Sequence, residues 1–310
     1  MRIVVLDGHT LNPGDNPWDP VRRLGDLTVF DRTPPSLVVE RARDAEIVLT
    51  NKTRVDGATL ATLSALRFVA VLATGFDVVD VRAARQLGIP VSNVPEYGTE
   101  SVAQHTFALL LELCNRTALN AGAVAAGEWS RAPDFSFWKA PLVELSGLTM
   151  GVVGSGRIGR RVAEIARAFG MRVMTASARP AERAKLVELF ECADIVSLHC
   201  PLTADTAGFV DRALLARMKP KAFLLNTARG GLVDEAALRA ALEAGKLAGA
   251  GFDVASREPI EPSNPLLGAP NLVLTPHLAW ASLAARRRLM EATARNVESF
   301  LAGVPINVVN

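Results

Sequence analysis

Short apolar, β-branched runs alternate along this chain with stretches whose apolar residues return every three or four positions. In the first third the runs are 2–6, Leu27–Phe30, Glu46–Thr50, Phe68–Leu72 and Ile89–Val94. Unbroken apolar runs of this kind read as strands buried on both faces, the parallel-sheet pattern. Between them Pro35–Arg43, Asp56–Leu66 and Val79–Leu87 read as helices, with Asp56 as an N-cap and Gly88 as a stop. Leu11–Pro20, rich in Pro, Asn and Asp, reads as a loop. Strands alternating with helices of this length predict a parallel sheet covered on both faces.

The pattern breaks at Pro95-Glu96-Tyr97-Gly98, and a long helix follows with Thr99 as its candidate N-cap. Val102, Thr106, Leu109, Leu110 and Leu113 form its buried stripe, and His105 beside them reads as a satisfied core histidine. Residues 127–141 carry Trp129, Phe135, Phe137, Trp138 and two prolines in an irregular loop. So many large apolar groups in a loop need cover, which predicts a subunit contact. Alternation resumes at Leu148, where an apolar strand runs into a Gly turn and a helix that places Val162, Ile165, Ala166 and Phe169 on one face and stops at Gly170. Strands follow at Met171–Ala176, Ile195–Leu198, Ala222–Leu225, Leu247–Phe252 and Asn271–Leu274, with helices at Asp211–Met218 and Asp234–Ala244. A closing helix starts at Ser282 and carries Leu283, Leu289, Ala292, Val297 and Phe300. The expected fold class is α/β, with two doubly wound parallel-sheet domains.

Composition narrows the picture. Of 310 residues 49% are apolar, enough for packed cores. A formal charge of +2, from 34 basic and 32 acidic residues, argues against a nucleic-acid surface or a polybasic membrane anchor. Cys114, Cys192 and Cys200 lack metal-ligand spacing and read as small core residues of a reducing compartment, so no metal is expected. No apolar run is long enough to span a bilayer or to serve as a signal peptide, so a soluble, cytoplasmic protein is expected.

Gly154, Gly156 and Gly159 fit G-x-G-x-x-G between a strand and a helix. The first allows a tight turn, the second lets backbone approach a pyrophosphate, and the third lets helix pack on strand. The helix N-terminus then offers N–H groups to the phosphates. Polar residues stand at or just past the ends of the later strands: Ser177, His199, Arg229, Asp253 and His277. Ligands of open parallel sheets bind at that edge. Three groups suit hydride chemistry on a carbonyl. His277 can exchange a proton with the carbonyl oxygen, Glu258 can orient the imidazole, and Arg229 can grip a carboxylate at two points. Ser177 stands where an acid would repel a 2′-phosphate, and Arg179 follows with a positive charge, Arg183 lying a turn further on. NADP(H) is therefore the expected cofactor, with NAD(H) as the alternative.

The Gly motif, Asn226-Thr227-Ala228-Arg229-Gly230, Asp253 with Glu258-Pro259, Asn264-Pro265-Leu266-Leu267 and Thr275-Pro276-His277 together resemble the D-isomer-specific 2-hydroxyacid dehydrogenases over almost the whole chain. Leu49–Thr53 and Thr275–Ser282 look most like the glycerate dehydrogenase, or hydroxypyruvate/glyoxylate reductase, branch. The resemblance implies a Rossmann cofactor domain at residues 98–281 inserted in a flavodoxin-like substrate domain at 1–97 and 282–310, with hinges between them and a homodimer paired through the cofactor domain. It implies Arg229 as carboxylate binder, Glu258 as orienting acid and His277 as general acid/base. It also implies backbone N–H groups of Thr74 and Gly75 on the substrate carboxylate, beside Arg229 and His277. The implied cofactor lining comprises Gly154, Gly156, Arg157, Ile158, Gly159, Ser177, Arg179, His199, Pro201, Thr206, Thr227, Ala228, Arg229, Asp253, His277 and Ala279. The implied reaction reduces a small anionic 2-keto acid. Alternatives are oxidation of phosphite, phosphoglycerate or another D-2-hydroxyacid, or a nucleotide-sensing corepressor-like role. The departure from the family pattern is Ser177, where an acid is usual.

Overall fold

A computed structural model describes all residues, 1–310, in two compact units. Unit 1 comprises Met1–Gly98 and Trp280–Asn310, and unit 2 comprises Thr99–Ala279. Unit 1 begins with β1 (Arg2–Val5), α1 (Asp19–Arg22), β2 (Asp26–Val29), α2 (Val38–Ala42), β3 (Ile47–Thr50), α3 (Gly57–Thr62), β4 (Phe68–Val71), α4 (Val81–Gln86) and β5 (Val91–Ser92). All five strands are parallel, in the order β2-β1-β3-β4-β5. Side chains alternate across this sheet, so each apolar run feeds two cores. Val4, Val48, Val69 and Val71 pack against the helices of one face, while Ile3, Val5, Ile47, Leu49 and Phe68 fill the other.

Unit 2 opens with α5 (Thr99–Asn115) and α6 (Thr117–Ala125). It continues through β6 (Thr149–Val153), α7 (Arg157–Ala168), β7 (Arg172–Ala176), α8 (Arg183–Cys192), β8 (Ile195–Leu198), α9 (Arg212–Arg217), β9 (Phe223–Asn226), α10 (Glu235–Glu243), β10 (Gly249–Phe252) and β11 (Leu272–Leu274). Its sheet is also all parallel, in the order β11-β10-β9-β8-β6-β7. Strand β6 therefore has its sequence successor on one side and β8 on the other, the order reversal at which such sheets bind ligands. Helices α5 and α7 share one core with Met150, Val152, Ile195 and Leu225. Helices α8, α9 and α10 cover the opposite face over Val196, Leu198, Leu224 and Phe252. Unit 1 is completed by α11 (Leu283–Leu301), whose Phe300 stacks on Phe68 at 4.5 Å. No helix is long and apolar enough to cross a membrane.

Several elements differ from their sequence reading. Pro35–Leu37 is a single 3-10 turn, and the α-helix starts only at Val38. Asp80 caps α4, which shortens the Val79–Leu87 helix, and α3 ends at Thr62. The Leu11–Pro20 loop yields at Asp19, where α1 starts with Pro20 in its first turn. Helices α6 and α8 are additional to those the pattern predicts. The first follows Arg116 in the left-handed region and is rich in small residues, so its apolar stripe is faint. Phe169 caps the end of α7 and is 40% exposed, although it stacks on Phe107 at 5.3 Å. Cys192, at the end of α8, is exposed and not a core residue; Cys114 and Cys200 are buried.

Candidate active site

The Gly turn lies at the order reversal of the unit 2 sheet. Gly154 has φ +106°, and a Cβ there would stand 2.6 Å from the His199 carbonyl oxygen. A Cβ at Gly159 would meet the Gly154 carbonyl oxygen at 2.0 Å, so α7 can pack this closely on β6 only without one. Gly156 is the opposite case: nothing lies within 4 Å of where its Cβ would be. It caps α7 with no side chain, and the N–H groups of Ser155, Gly156 and Ile158 donate to no acceptor in the protein. Orphan donors, open space and the positive end of a 12-residue helix make an anion cradle. The chain fits a dinucleotide pyrophosphate here.

The catalytic candidates come from three loops that leave β9, β10 and β11. Asp253, directly after β10, is 1% exposed. Its carboxylate accepts from the Thr275 hydroxyl at 2.6 Å and from the Leu278 and Ala279 N–H groups at 2.9 and 2.8 Å. Its carbonyl accepts from the His277 N–H at 2.8 Å. Wrapped on this anchor, His277 adopts φ +53°. Its Nδ1 then lies 2.6 Å from Glu258 Oε2, and both side chains keep part of their surface open. A carboxylate on Nδ1 leaves Nε2 as the nitrogen for exchange with a ligand.

Arg229 follows β9 on a turn closed by Asn226, which accepts from the Ala228 N–H and donates to the Arg229 carbonyl. Its Nη1 donates to the Ala228 carbonyl at 2.8 Å, and the residue is partly buried. The next residue, Gly230, is pressed so closely on the Ala255–Ser256 backbone that a Cβ would sit 1.9 Å from Ala255 C. That contact joins the Arg229 turn to the loop carrying Glu258. The Ala255 N–H donates to Glu258 Oε1 at 3.2 Å.

The remaining sequence-predicted residues have defined places. Thr227 shares a 2.9 Å hydrogen bond with Thr106 of α5. Thr206 is buried and donates to the Pro201 carbonyl at 2.8 Å, and Ala279 is buried against Asp253. Ser177 accepts from the Arg179 N–H at 3.1 Å in a tight turn, which leaves its hydroxyl proton available to an acceptor and Arg179 exposed. Arg157 and Ile158 form the first turn of α7. Thr74 and Gly75 follow β4 in unit 1, and their N–H groups donate to no protein acceptor. One residue, Glu235, has no counterpart in the sequence reading, and His105 meets its expectation. Glu235, 8% exposed at the start of α10, holds the Ser256 N–H and hydroxyl at 2.6 and 2.7 Å and the Asn264 amide at 2.8 Å. His105 is a satisfied histidine, bonded at 2.9 Å to Thr275 and 3.5 Å from Asp253, so it supports the anchor.

Residues 107–279 match the family described as D-isomer specific 2-hydroxyacid dehydrogenase, NAD binding domain. The chain is 47% identical to the hydroxypyruvate reductase of Blautia hydrogenotrophica across 100% of both proteins. It is 41% identical to the glycerate dehydrogenase of Methylorubrum extorquens, covering 89% of this chain and 88% of that protein. A solved structure of the NADPH-dependent glyoxylate/hydroxypyruvate reductase of Sinorhizobium meliloti, in complex with NADP and malonate, aligns with a TM-score of 0.83 at 31% identity, covering 99% of this chain and 96% of that one. The chain is thus a nucleotide-dependent oxidoreductase acting on CH–OH donors. It belongs to the D-isomer specific 2-hydroxyacid dehydrogenase family.

His199, behind the Gly turn, is bonded to Ser197 at 2.8 Å, and burial pushes its imidazole down to about 4. The unfolded chain takes up a proton near the ordinary histidine value of 6.5 while the folded one does not. The resulting stability is present above about pH 6.5 and is lost as the pH falls toward 4, by up to roughly 3 kcal/mol. Thermal unfolding at pH 7.5 and 5 should show a smaller pH-induced drop for His199→Asn than for the wild type. An equal drop would mean that the fold does not hold His199 in its neutral form.

Proposed function

We propose that this protein reduces a small 2-keto acid, glyoxylate or hydroxypyruvate, to the corresponding 2-hydroxyacid, in a reversible reaction that favours NADP(H). The observation that carries the reading is the 2.6 Å pair of His277 Nδ1 with Glu258, set on the same loop cluster as Arg229. In this reading Gly154, Gly156 and Gly159 with the first turn of α7 hold the pyrophosphate. His199, Pro201, Thr206, Thr227, Ala228, Asp253 and Ala279 line the rest of the cofactor. When bound, the nicotinamide supplies the hydride. Arg229 pairs its planar guanidinium with the substrate carboxylate and polarises the neighbouring carbonyl. His277 Nε2 gives its proton to the carbonyl oxygen as charge develops there, and Glu258 stabilises the imidazolium before transfer and keeps the ring aimed. Thr74 and Gly75 of unit 1 are proposed as backbone N–H donors to a keto-acid carboxylate.

Similarity to a hydroxypyruvate reductase and a glycerate dehydrogenase supports the substrate class. A homodimer is also proposed, paired through the segment that exposes Phe135 (91%), Trp138 (65%) and Leu142 (55%), since groups of that size in unit 2 need cover.

His277→Ala should lower turnover of glyoxylate or hydroxypyruvate about 10²–10⁴-fold while NADPH still binds, as read by its fluorescence. A near-wild-type kcat would remove His277 as the proton donor. For the cofactor, Ser177→Asp places a carboxylate where the 2′-phosphate is proposed to sit. It should lower kcat/KM for NADPH at least about tenfold and spare NADH. A wild-type preference for NADH, or no NADPH loss in Ser177→Asp and Arg179→Ala, would contradict the NADP(H) assignment.

A further inference from the structure

The turn proposed to donate to the substrate carboxylate is held from behind by a line of side-chain amides, two of them buried. Asn93, 8% exposed just past β5, donates through Nδ2 to the Thr74 carbonyl at 2.7 Å. The Thr74 hydroxyl donates to the Val94 carbonyl at 2.8 Å, and the Val94 N–H donates to the Ala73 carbonyl at 3.0 Å. Asn93 is gripped in turn. Asn296 of α11, fully buried, donates to the Asn93 carbonyl at 2.8 Å, and Asn307 of the C-terminal tail donates to Asn296 Oδ1 at 2.8 Å. The Asn307 carbonyl accepts the Asn93 N–H at 3.1 Å, closing the loop. The tail is itself pinned, since Ser92 donates to the Ile306 carbonyl at 2.6 Å and Asn310 bonds the Val91 N–H and the Ile89 carbonyl at 2.8 Å each.

Every carbonyl in this line takes an amide or hydroxyl proton, while the N–H groups of Thr74 and Gly75 are left without a protein acceptor. Carbonyl groups held to the rear fix the peptide planes, and fixed planes keep the N–H groups pointing the other way. We propose that Asn93 and Asn296, with Asn307 of the C-terminal tail, are positioning residues that preorganise the Thr74–Gly75 turn for a carboxylate. The C-terminal tail is thereby a working part of substrate affinity. The proposal rests on the reading that Thr74 and Gly75 bind the substrate carboxylate.

Because the relay acts on binding, its signature is a split between constants. Asn93→Asp keeps the size of the side chain but removes the donor to Thr74. It should raise the keto-acid KM roughly 10- to 100-fold, leaving kcat at saturation within about threefold and the NADPH KM unchanged. The Kd of glyoxylate for NADP⁺-loaded enzyme, by calorimetry, should rise by the same factor. Asn307→Ala removes an exposed side chain at the far end of the relay and should raise both constants in the same direction by at least about threefold. If Asn93→Asp does not fold, Asn307→Ala decides alone. An unchanged keto-acid KM and Kd in these variants, even with a lowered Tm, would overturn the proposal, as would an equal rise in the NADPH KM. Absent turnover with intact glyoxylate binding in the wild type would refute the proposed chemistry, and the calorimetric arm would still judge the relay.

Discussion

A buried carboxylate organises the loops at the C-terminal edge of the unit 2 sheet, where the reaction is proposed to take place. Asp253 has lost nearly all contact with water, and an unpaired charge in that position would cost several kcal/mol. The chain meets this demand by folding Thr275, Leu278 and Ala279 around it as donors. His277 lies inside that wrap, and its left-handed backbone follows from it. The orientation of the imidazole is thus set by a group that need not touch substrate.

The second constraint is steric. Gly230 and Ala255 approach so closely that no side chain fits between the Arg229 turn and the Glu258 loop. Glu235 adds a second fixing point to that loop through Ser256 and Asn264. One carboxylate bonds the histidine directly, and two others hold the loops from which the proposed reacting groups project. Preorganisation of this kind lowers the reorganisation needed when charge develops.

Much of this was legible before the structure. Apolar runs such as 2–6 and Glu46–Thr50 announced strands buried on both faces because both faces of each sheet are indeed covered by helices. The Gly spacing pointed to its turn because Gly154 and Gly159 each answer a steric demand and Gly156 leaves the space before the helix open. Arg229, Asp253 and His277 stood out because each follows a strand. What the pattern could not convey was partnership across distance. Glu235 looks like an ordinary first-turn helix acid, and only the fold brings Ser256 to it. His105 appears on a helix stripe, and nothing local says that Thr275 receives it. The amide line behind Thr74 joins four segments whose asparagines look unremarkable one at a time. Short helices with faint stripes, and the exposure of Phe169 and Cys192, depend on neighbours that the local sequence does not name.

The central claim is that His277 and Glu258 act as one unit in proton transfer. A double-mutant cycle on kcat, using His277→Ala, Glu258→Gln and the pair together with one keto acid, tests it most directly. A shared role predicts strong non-additivity, with the double variant no slower than His277→Ala alone. Losses that multiply, so that the double variant is slower by the product of the single effects, would contradict it.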